Sequence, residues 1–290
     1  MLPNGGSATL RLHNGAPRAS AMGRNGPVRL LVASGKGGVG TSIVAALAAL
    51  SAAERGERVM LVDASEVAGS MHLLFGSRPA HGVWSLIDAR VRAEDVTTQI
   101  GNSLFLIAGG AVGNAAVPAN DAERRGALTR LSHLYAGYDL IVFDGGARLD
   151  TLSAIGELAD PTVLLVTSAD RLALAANYAL VKSLHARRPD ANISVVCNRH
   201  GEAVAADACE YLVGACAHFL GRSIEVLGAV PDDPCLQAAV GAGMTVRDAL
   251  DGSPAADTMR GVLSRVVPSR STAPRPAAMQ SSPPSSRRWS

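Results

Sequence analysis

Aromatic residues are scarce in this chain, and their scarcity limits the partners that its surface can bind. Phenylalanine, tryptophan and tyrosine together make up 3% of the 290 residues, so a surface that stacks nucleic-acid bases is not expected. The formal net charge is only +2, and the acids and bases are spread along the chain. Without a basic patch, no specific nucleic-acid partner is expected.

The chain also lacks the cysteine and histidine spacings that mark metal sites and disulfide frameworks. Its four cysteines form no C-x-x-C pair and its seven histidines show no ligand spacing, so we expect reduced, buried thiols. No uncharged apolar stretch reaches about 18 residues, and the first residues do not place a charged region before an apolar one. These features predict a cytoplasmic protein without a membrane span.

Composition divides the sequence into three segments. Residues 1–27 and 268–290 are rich in small and polar residues without a hydrophobic period, and both are predicted to be disordered tails. Residues 28–267 alternate short β-branched runs with helical stretches rich in alanine and leucine, which predicts one α/β domain. Its central sheet should be mostly parallel, with helices on both faces. The predicted strands are VRLLVAS, RVMLVD, LFLIAG, DLIVFD, TVLLVTS, NISVVC and IEVLGAV, and the predicted helices span 42–55, 121–136, 149–159, 170–187, 203–219 and 255–266.

The stretch SGKGGVGTS, residues 34–42, has the glycines of a phosphate-binding loop and follows the first predicted strand. Such glycines let backbone N–H groups surround phosphate oxygens at the start of the next helix. Ser42 occupies the Mg²⁺-binding hydroxyl position of G-x-x-x-x-G-K-[ST], but Thr41 occupies the lysine position. The predicted nucleotide-binding residues of the loop are Gly35, Lys36, Gly37, Gly38, Val39, Gly40, Thr41 and Ser42.

The same letters also fit G-x-G-x-x-G, the fingerprint of dinucleotide-binding proteins. In that interpretation the three glycines are Gly35, Gly37 and Gly40, and Asp63 at the end of the second strand would bind a ribose. A lysine between the first two glycines is unusual in such a site. A glycine turn in a scaffold that binds nothing is a further alternative.

Five motifs, in order along the chain, resemble those of the MinD/ParA family of ATPases. SGKGGVGTS resembles its deviant phosphate loop K-G-G-x-G-K-[ST], and VMLVDASEVAGSMHLLFG resembles its second strand and first switch. YDLIVFDGGA resembles its Walker B strand, while VVCNR and GAVPDDP resemble its two adenine-contacting stretches. The resemblance covers about residues 28–250.

This resemblance implies a ligand and an assembly: ATP or ADP with Mg²⁺, and a nucleotide-dependent homodimer. Lys36 would reach the nucleotide bound by the partner subunit. Ser42 would bind Mg²⁺ directly and Asp144 would assist the metal through water, so Lys36 and Asp144 are the catalytic candidates. The implied contacts with adenine are Asn198, Pro231 and Asp232.

Three longer stretches resemble the branch of flagellar-number regulators, FlhG, within this family. They are GVWSLIDARVRAEDV, ANYALVKSLHARRPDANISVVCNR and FLGRSIEVLGAVPDDPCLQAAV. The implied partners are flagellar regulators or switch proteins, with pilus or cellulose-secretion machinery as the alternative. The apolar face of residues 255–267 is predicted to dock on the core, which leaves at most a weak peripheral contact with the inner face of the cell membrane.

Several positions depart from the family pattern where hydrolysis depends on them. Thr41 replaces the phosphate-loop lysine and Ser65 replaces the first-switch aspartate that helps to organise the attacking water. Further replacements are Gly145 for a threonine or serine, and Ala173 and Ala176 for a serine and an aspartate.

The expected loss of nucleotide affinity is smaller than the expected loss of catalytic rate. One charge-assisted hydrogen bond to phosphate contributes about 1.5 to 3 kcal/mol to binding, whereas a missing transition-state donor typically slows catalysis about 100- to 1,000-fold. We therefore predict a switch that binds nucleotide and hydrolyses it weakly or not at all. The alternative is a competent ATPase in which Lys36 supplies the missing charge.

Overall fold

A computed structural model describes residues 26–67, 69–110, 112 and 117–267. Apart from Gly26 and Pro27, both predicted tails lie outside the described residues. The described chain forms one eight-stranded sheet in the order β3-β4-β2-β5-β1-β6-β7-β8. Its neighbouring strands run parallel except for the edge pair β3 and β4. The strands are β1 Val28–Ala33, β2 Val59–Asp63, β3 Thr97–Gln99, β4 Leu104–Ile107, β5 Leu140–Gly146, β6 Thr162–Thr167, β7 Ile193–Asn198 and β8 Glu225–Val230.

Helices cover both faces of this sheet, as predicted. One core lies under α1 and α8, and the other lies under α3, α4, α5 and α6. Successive residues of a strand contribute to opposite cores: Leu30 faces α1, while Leu31 faces the other layer. The helices are α1 Thr41–Glu54, α2 Met71–Leu74, α3 Asp121–Ser132, α4 Leu149–Ala159, α5 Arg171–Arg187, α6 Glu202–Leu220, α7 Pro234–Gly241 and α8 Pro254–Val266.

The helix over residues 255–266 docks on the core rather than presenting an apolar face to a membrane. Met259, Val262 and Leu263 of α8 are buried, and α8 packs against α1. Within the described residues, α6 is the one helix whose length and composition would suit a membrane span. Its buried face, which includes Cys209 and Leu212, belongs to the core that it shares with α5 and β7.

The order of the strands separates the two interpretations of the glycine loop. In a dinucleotide-binding fold the first two strands are neighbours in the sheet. Here β5 lies between β1 and β2. The strand order therefore does not fit the dinucleotide alternative.

Candidate functional site

The loop of residues 34–40 joins β1 to α1 at the carboxyl end of the sheet, and its glycines are required by its shape. Gly38 and Gly40 have φ angles of 83° and 91°, in the left-handed region that favours glycine. A Cβ at Gly35 would lie 2.1 Å from a backbone carbonyl oxygen of α5, and one at Gly40 would lie 2.2 Å from Asn198 Nδ2. Side chains at these two positions would collide with their supports.

Two buried asparagines hold the loop. Asn177 on α5 accepts a hydrogen bond from the Gly35 N–H at 2.7 Å and donates to the Val166 carbonyl at 3.1 Å. Asn198, at the end of β7, donates from Nδ2 to the Val39 carbonyl at 2.8 Å. Sequence reasoning selected Asn198 for contact with a base and missed Asn177, which no motif signals. The asparagines fix the backbone that would contact phosphates.

Thr41 occupies the lysine position and turns its side chain into the protein. It is 7% exposed, and its Oγ1 donates to Ser34 Oγ at 3.0 Å. Ser34 Oγ in turn donates to the Lys36 carbonyl at 2.8 Å. This hydroxyl chain ties the two ends of the loop together, and it brings no positive charge to a phosphate.

The start of α1 leaves backbone N–H groups available to an anion. Gly40 is the N-cap, and no side chain of the described residues caps this helix. The first N–H groups of a helix have no partner within it, and the helix dipole adds a partial positive charge there. Together with the glycine loop, this helix start fits phosphate groups.

Lys36 forms an ion pair within its own chain. Its Nζ lies 3.2 Å from both carboxylate oxygens of Asp170, and both side chains are about 40% exposed. Asp170 also caps α5 by accepting from the Ala173 N–H at 2.9 Å. Hydrogen bonds from Ser168 and Ala173, with a smaller contribution from Lys36, lower the pKa of Asp170 to about 2. The ammonium group of Lys36 is thus held at the start of α5 by the ionised carboxylate of Asp170.

Asp63 and Asp144 lie side by side at the ends of β2 and β5. Asp63 is fully buried, and its carboxylate accepts from the Ser65 N–H at 3.0 Å and from the Met71 N–H at 3.1 Å. It therefore positions the first switch, and it is not accessible to a ribose, as the dinucleotide interpretation would require.

Asp144 combines burial with an unpaired oxygen. Its Oδ1 accepts from the Gly146 N–H at 3.2 Å, whereas Oδ2 is buried without a hydrogen-bond partner among the described residues. Burial, followed by the negative charge of Asp63, raises the pKa of Asp144 to about 7, against the opposing effects of the Ser42 hydroxyl and the Gly146 N–H. A buried carboxylate oxygen without a partner fits a bound cation or the water of one.

Ser42 and Asp144 could hold Mg²⁺ only with help from a ligand. Within the described residues, no group of three or more His, Cys, Asp or Glu side chains could hold a metal ion. Magnesium prefers six oxygen ligands and keeps several waters, and in nucleotide sites it is bound through one or two protein groups plus phosphates. The two side chains fit that arrangement.

The departures at Gly145 and Ser65 have structural counterparts. A Cβ at Gly145 would lie 2.3 Å from Leu152 Cδ2 and 2.7 Å from Leu31 Cδ1, so a threonine or serine here would require these two leucine side chains to move. The Ser65 carbonyl accepts from Trp84 Nε1 at 3.0 Å and from the Gly110 N–H at 2.6 Å. The backbone of residue 65 is therefore fixed, but no carboxylate stands there.

The neighbouring carboxylate, Glu66, is engaged elsewhere and was not predicted. It is 4% exposed, and its two oxygens accept from Arg124 Nε at 2.7 Å and Nη2 at 3.1 Å. Arg148 lies 3.2 Å away, and the Thr151 hydroxyl also donates to it. Burial raises the pKa of Glu66, but the hydrogen bonds from Arg124 and Thr151 and the charges of both arginines outweigh burial and lower it. Glu66 is thus committed to α3 and α4.

The predicted adenine-contacting residues come together at neighbouring strand ends. Asn198 pairs in register with Val230, so Asn198 and Pro231 leave β7 and β8 side by side. Asp232 Oδ1 accepts from Arg199 Nε at 3.2 Å and from Gln237 Nε2 at 2.7 Å. The phosphate loop and these residues therefore lie at the carboxyl ends of the strands, and the hydrogen bond from Asn198 to the Val39 carbonyl joins them.

Comparisons with known proteins agree with this arrangement. A profile described as ParA, NUBPL iron-transfer P-loop NTPase, matches residues 27–88. Antiactivator FleN of Pseudomonas aeruginosa is 26% identical over 247 residues, which cover 84% of this chain and 88% of FleN. Flagellum site-determining protein YlxH of Helicobacter pylori is 26% identical over 153 residues, covering 53% of this chain and 52% of YlxH.

A solved structure shows the same fold. The septum site-determining protein MinD of Pyrococcus horikoshii, complexed with Mg-ADP, superposes with a TM-score of 0.68 at 18% identity. The superposition covers 83% of this chain and 96% of that protein. The order of the strands, the glycine loop and these relatives together make the chain similar to the MinD/ParA P-loop NTPases, whose fold it shares.

Proposed function

We propose that this protein is an ATP-binding dimerisation switch that regulates the placement or number of flagella and hydrolyses ATP weakly or not at all. The observation that carries the proposal is a phosphate loop whose backbone is fully supported while the charges needed for hydrolysis are absent from positions 41 and 65. The backbone of the loop would bind the phosphates, whereas the side-chain charges that are absent here would act in the transition state of hydrolysis. Nucleotide binding can therefore persist where hydrolysis is weak.

The proposed binding site uses the loop for the phosphates and the ends of two strands for the base. Magnesium would be held by Ser42 and Asp144, and its chemistry would be to neutralise charge on the phosphates. The MinD structure with Mg-ADP supports adenine nucleotide and Mg²⁺ as the ligands. The proposed nucleotide contacts are Gly35, Lys36, Gly37, Gly38, Val39, Gly40, Thr41, Ser42, Asn198, Pro231 and Asp232.

Weak hydrolysis follows from what each nearby side chain is doing. Thr41 donates to Ser34 inside the loop, and Glu66 is bound by Arg124, so neither places a charge at the phosphates or on a water. Positioning the water and stabilising the developing charge are separate requirements in phosphoryl transfer. Thr41 and Ser65 supply no charge toward either requirement.

A competent ATPase remains a second candidate because Lys36 is half-exposed beside the loop. Its ammonium group is held only by a partly exposed ion pair with Asp170. Such pairs contribute about 0 to 1 kcal/mol, so the lysine can leave Asp170 at little cost and approach a phosphate. In a dimer, that phosphate would belong to the partner subunit.

The flagellar role is supported by the relatives. FleN is an antiactivator and YlxH is a flagellum site-determining protein. We accordingly propose flagellar regulators or switch proteins as partners of the dimer, and the cytoplasm as its location. A nucleotide that adds contacts only in the dimer shifts the population towards it, which is how such a switch responds to ATP.

Titration calorimetry with ATP, ADP and NAD, with and without Mg²⁺, tests the proposed ligand. We expect ATP and ADP to bind with micromolar to millimolar dissociation constants, more tightly with Mg²⁺. Gly40→Ala should abolish binding because its Cβ would meet Asn198, whereas Gly126→Ala on α3, where the space is open, should not. Stronger binding of NAD than of ATP would overturn the proposal.

A further inference from the structure

The outer surfaces of α5 and α6 form an apolar groove with a volume of about 470 Å³. Its lining includes Leu174 and Tyr178 from α5, and Tyr211, Ala215 and Phe219 from α6. Tyr211 is 76% exposed and Phe219 is 70% exposed. In a chain with few aromatic residues, such a concentration of exposed aromatic surface indicates a docking site.

One margin of the groove is acidic. Asp207 and Glu210 line an adjoining depression that shares Tyr211 and Ala215 with the groove. Neither carboxylate forms an ion pair with another of the described residues. An anionic membrane surface would be repelled by them. The groove therefore suits an occupant that carries both an aromatic side chain and positive charge.

We propose that residues 268–290 of the same chain dock in this groove. This segment contains four arginines and no acidic residue, and it has one of the two tryptophans of the chain. Trp289 would occupy the apolar groove, and the adjacent Arg287 and Arg288 would face Asp207 and Glu210. Other occupants of the groove, including a second copy of the chain, are outcomes of the test below.

The fold brings this segment to the correct side of the sheet. Helix α8 ends at Val266, and Arg265 binds Glu225 at 2.6 Å and the Leu227 carbonyl at 3.0 Å, both on β8. Strand β8 is the edge of the described sheet, and α6 packs on it. About 20 extended residues span roughly 60 Å, several times the ~10 Å thickness of one packed layer. The segment can therefore pass around the edge and reach α6.

Photo-cross-linking in the full chain tests the proposal. With Trp289→p-benzoylphenylalanine, irradiation should join residue 289 to peptides from α5 or α6, and the product should migrate as a monomer. The yield should fall several-fold in Tyr211→Ser and in the double change Asp207→Lys with Glu210→Lys. It should not fall in Val204→Ser, which alters an exposed apolar residue of α6 that does not line the groove.

Three outcomes would overturn the proposal. They are cross-links to other elements, a cross-linked dimer, which would make a second copy the occupant, and a yield that none of the groove substitutions changes. Circular dichroism checks that each variant is folded. As an independent readout, acrylamide should quench the fluorescence assigned to Trp289 more strongly in Tyr211→Ser than in the wild type, with Trp289→Phe giving the contribution of buried Trp84.

Discussion

The fold opposes the ionisation of the Asp144 carboxyl group. Its side chain is 1% exposed, stands beside Asp63, and leaves Oδ2 without a partner among the described residues. In the folded protein, these conditions favour the protonated form of the Asp144 carboxyl group up to about neutral pH. A carboxyl group in this state can respond both to a cation and to pH.

The stability of the nucleotide-free protein should therefore depend on pH through Asp144. Its pKa is raised from 3.8 to about 7, so the folded chain keeps a proton that the unfolded chain releases, and stability is lost as pH rises between these values. Relative to wild type, Asp144→Asn should gain about 1 to 4 kcal/mol of unfolding free energy between pH 4 and pH 8. Urea unfolding at both pH values measures it.

The control for this prediction is Asp150→Asn, a change at a carboxylate that is 58% exposed. Its effect on the unfolding free energy should be small and equal at the two pH values. If the effect of Asp144→Asn is also small and equal at the two pH values, the pKa of Asp144 is not raised in the folded protein.

At the scale of elements, the segment that resembles the first switch of the family is attached to two helices through one buried side chain. Glu66 follows the switch position Ser65 and accepts from Arg124 on α3 and from Thr151 on α4. The side chains of Glu66 and Arg124 are 1% and 5% exposed, so their charges depend on each other for compensation. This contact keeps the switch in one position.

Arg124→Ala should destabilise the protein by about 3 to 5 kcal/mol, because it leaves a buried carboxylate without its main partner. Arg125→Ala removes the adjacent arginine on the same helix, whose ion pair with Glu157 is partly exposed, and should cost at most about 1 kcal/mol. Urea unfolding of both variants makes the comparison. Equal losses would contradict the assigned role of the buried pair.

At the scale of the whole molecule, the alternation of elements was predictable and the contacts between distant segments were not. All seven predicted strands and all six predicted helices are present. The strands could be predicted because parallel strands buried on both faces are continuous apolar runs. The short elements β3, α2 and α7 were missed. The edge strand β3, Thr97–Gln99, consists of three polar residues and offers no period to detect.

The candidate site shows the same division. The glycines, Ser42 and Asp144 were predictable from motifs that lie within single loops or strands. The bonds from Gly35 to Asn177 and from Arg124 to Glu66 span 142 and 58 residues, and one sequence contains no signal that pairs such positions. Only the fold shows that Asn198 supports the loop, whereas its contact with a base stays a prediction.

Assembly provides a prediction at the scale of the whole molecule. If Lys36 contacts the partner's nucleotide, Lys36→Ala should abolish a dimer that forms with ATP and Mg²⁺ while changing monomer stability by less than about 1 kcal/mol. Asp170→Asn keeps an acceptor for the Ala173 N–H but weakens the hold on Lys36, so it should retain the dimer. Sedimentation velocity distinguishes these results. The same nucleotide-linked dimer in wild type and Lys36→Ala would exclude the trans contact.

The central claim is that the site binds ATP but lacks the charges that hydrolyse it, and phosphate release at saturating ATP and Mg²⁺ tests it most directly. Thr41→Lys restores a cation at the cost of the hydrogen bond to Ser34, so affinity should rise while turnover rises only slightly. Adding Ser65→Asp should give a gain larger than the two single gains combined, because groups that act as a unit are not additive. The account predicts near-background release for wild type and clear turnover for the double variant. Wild-type release as fast as that of the double variant would contradict it and assign the missing charge to Lys36.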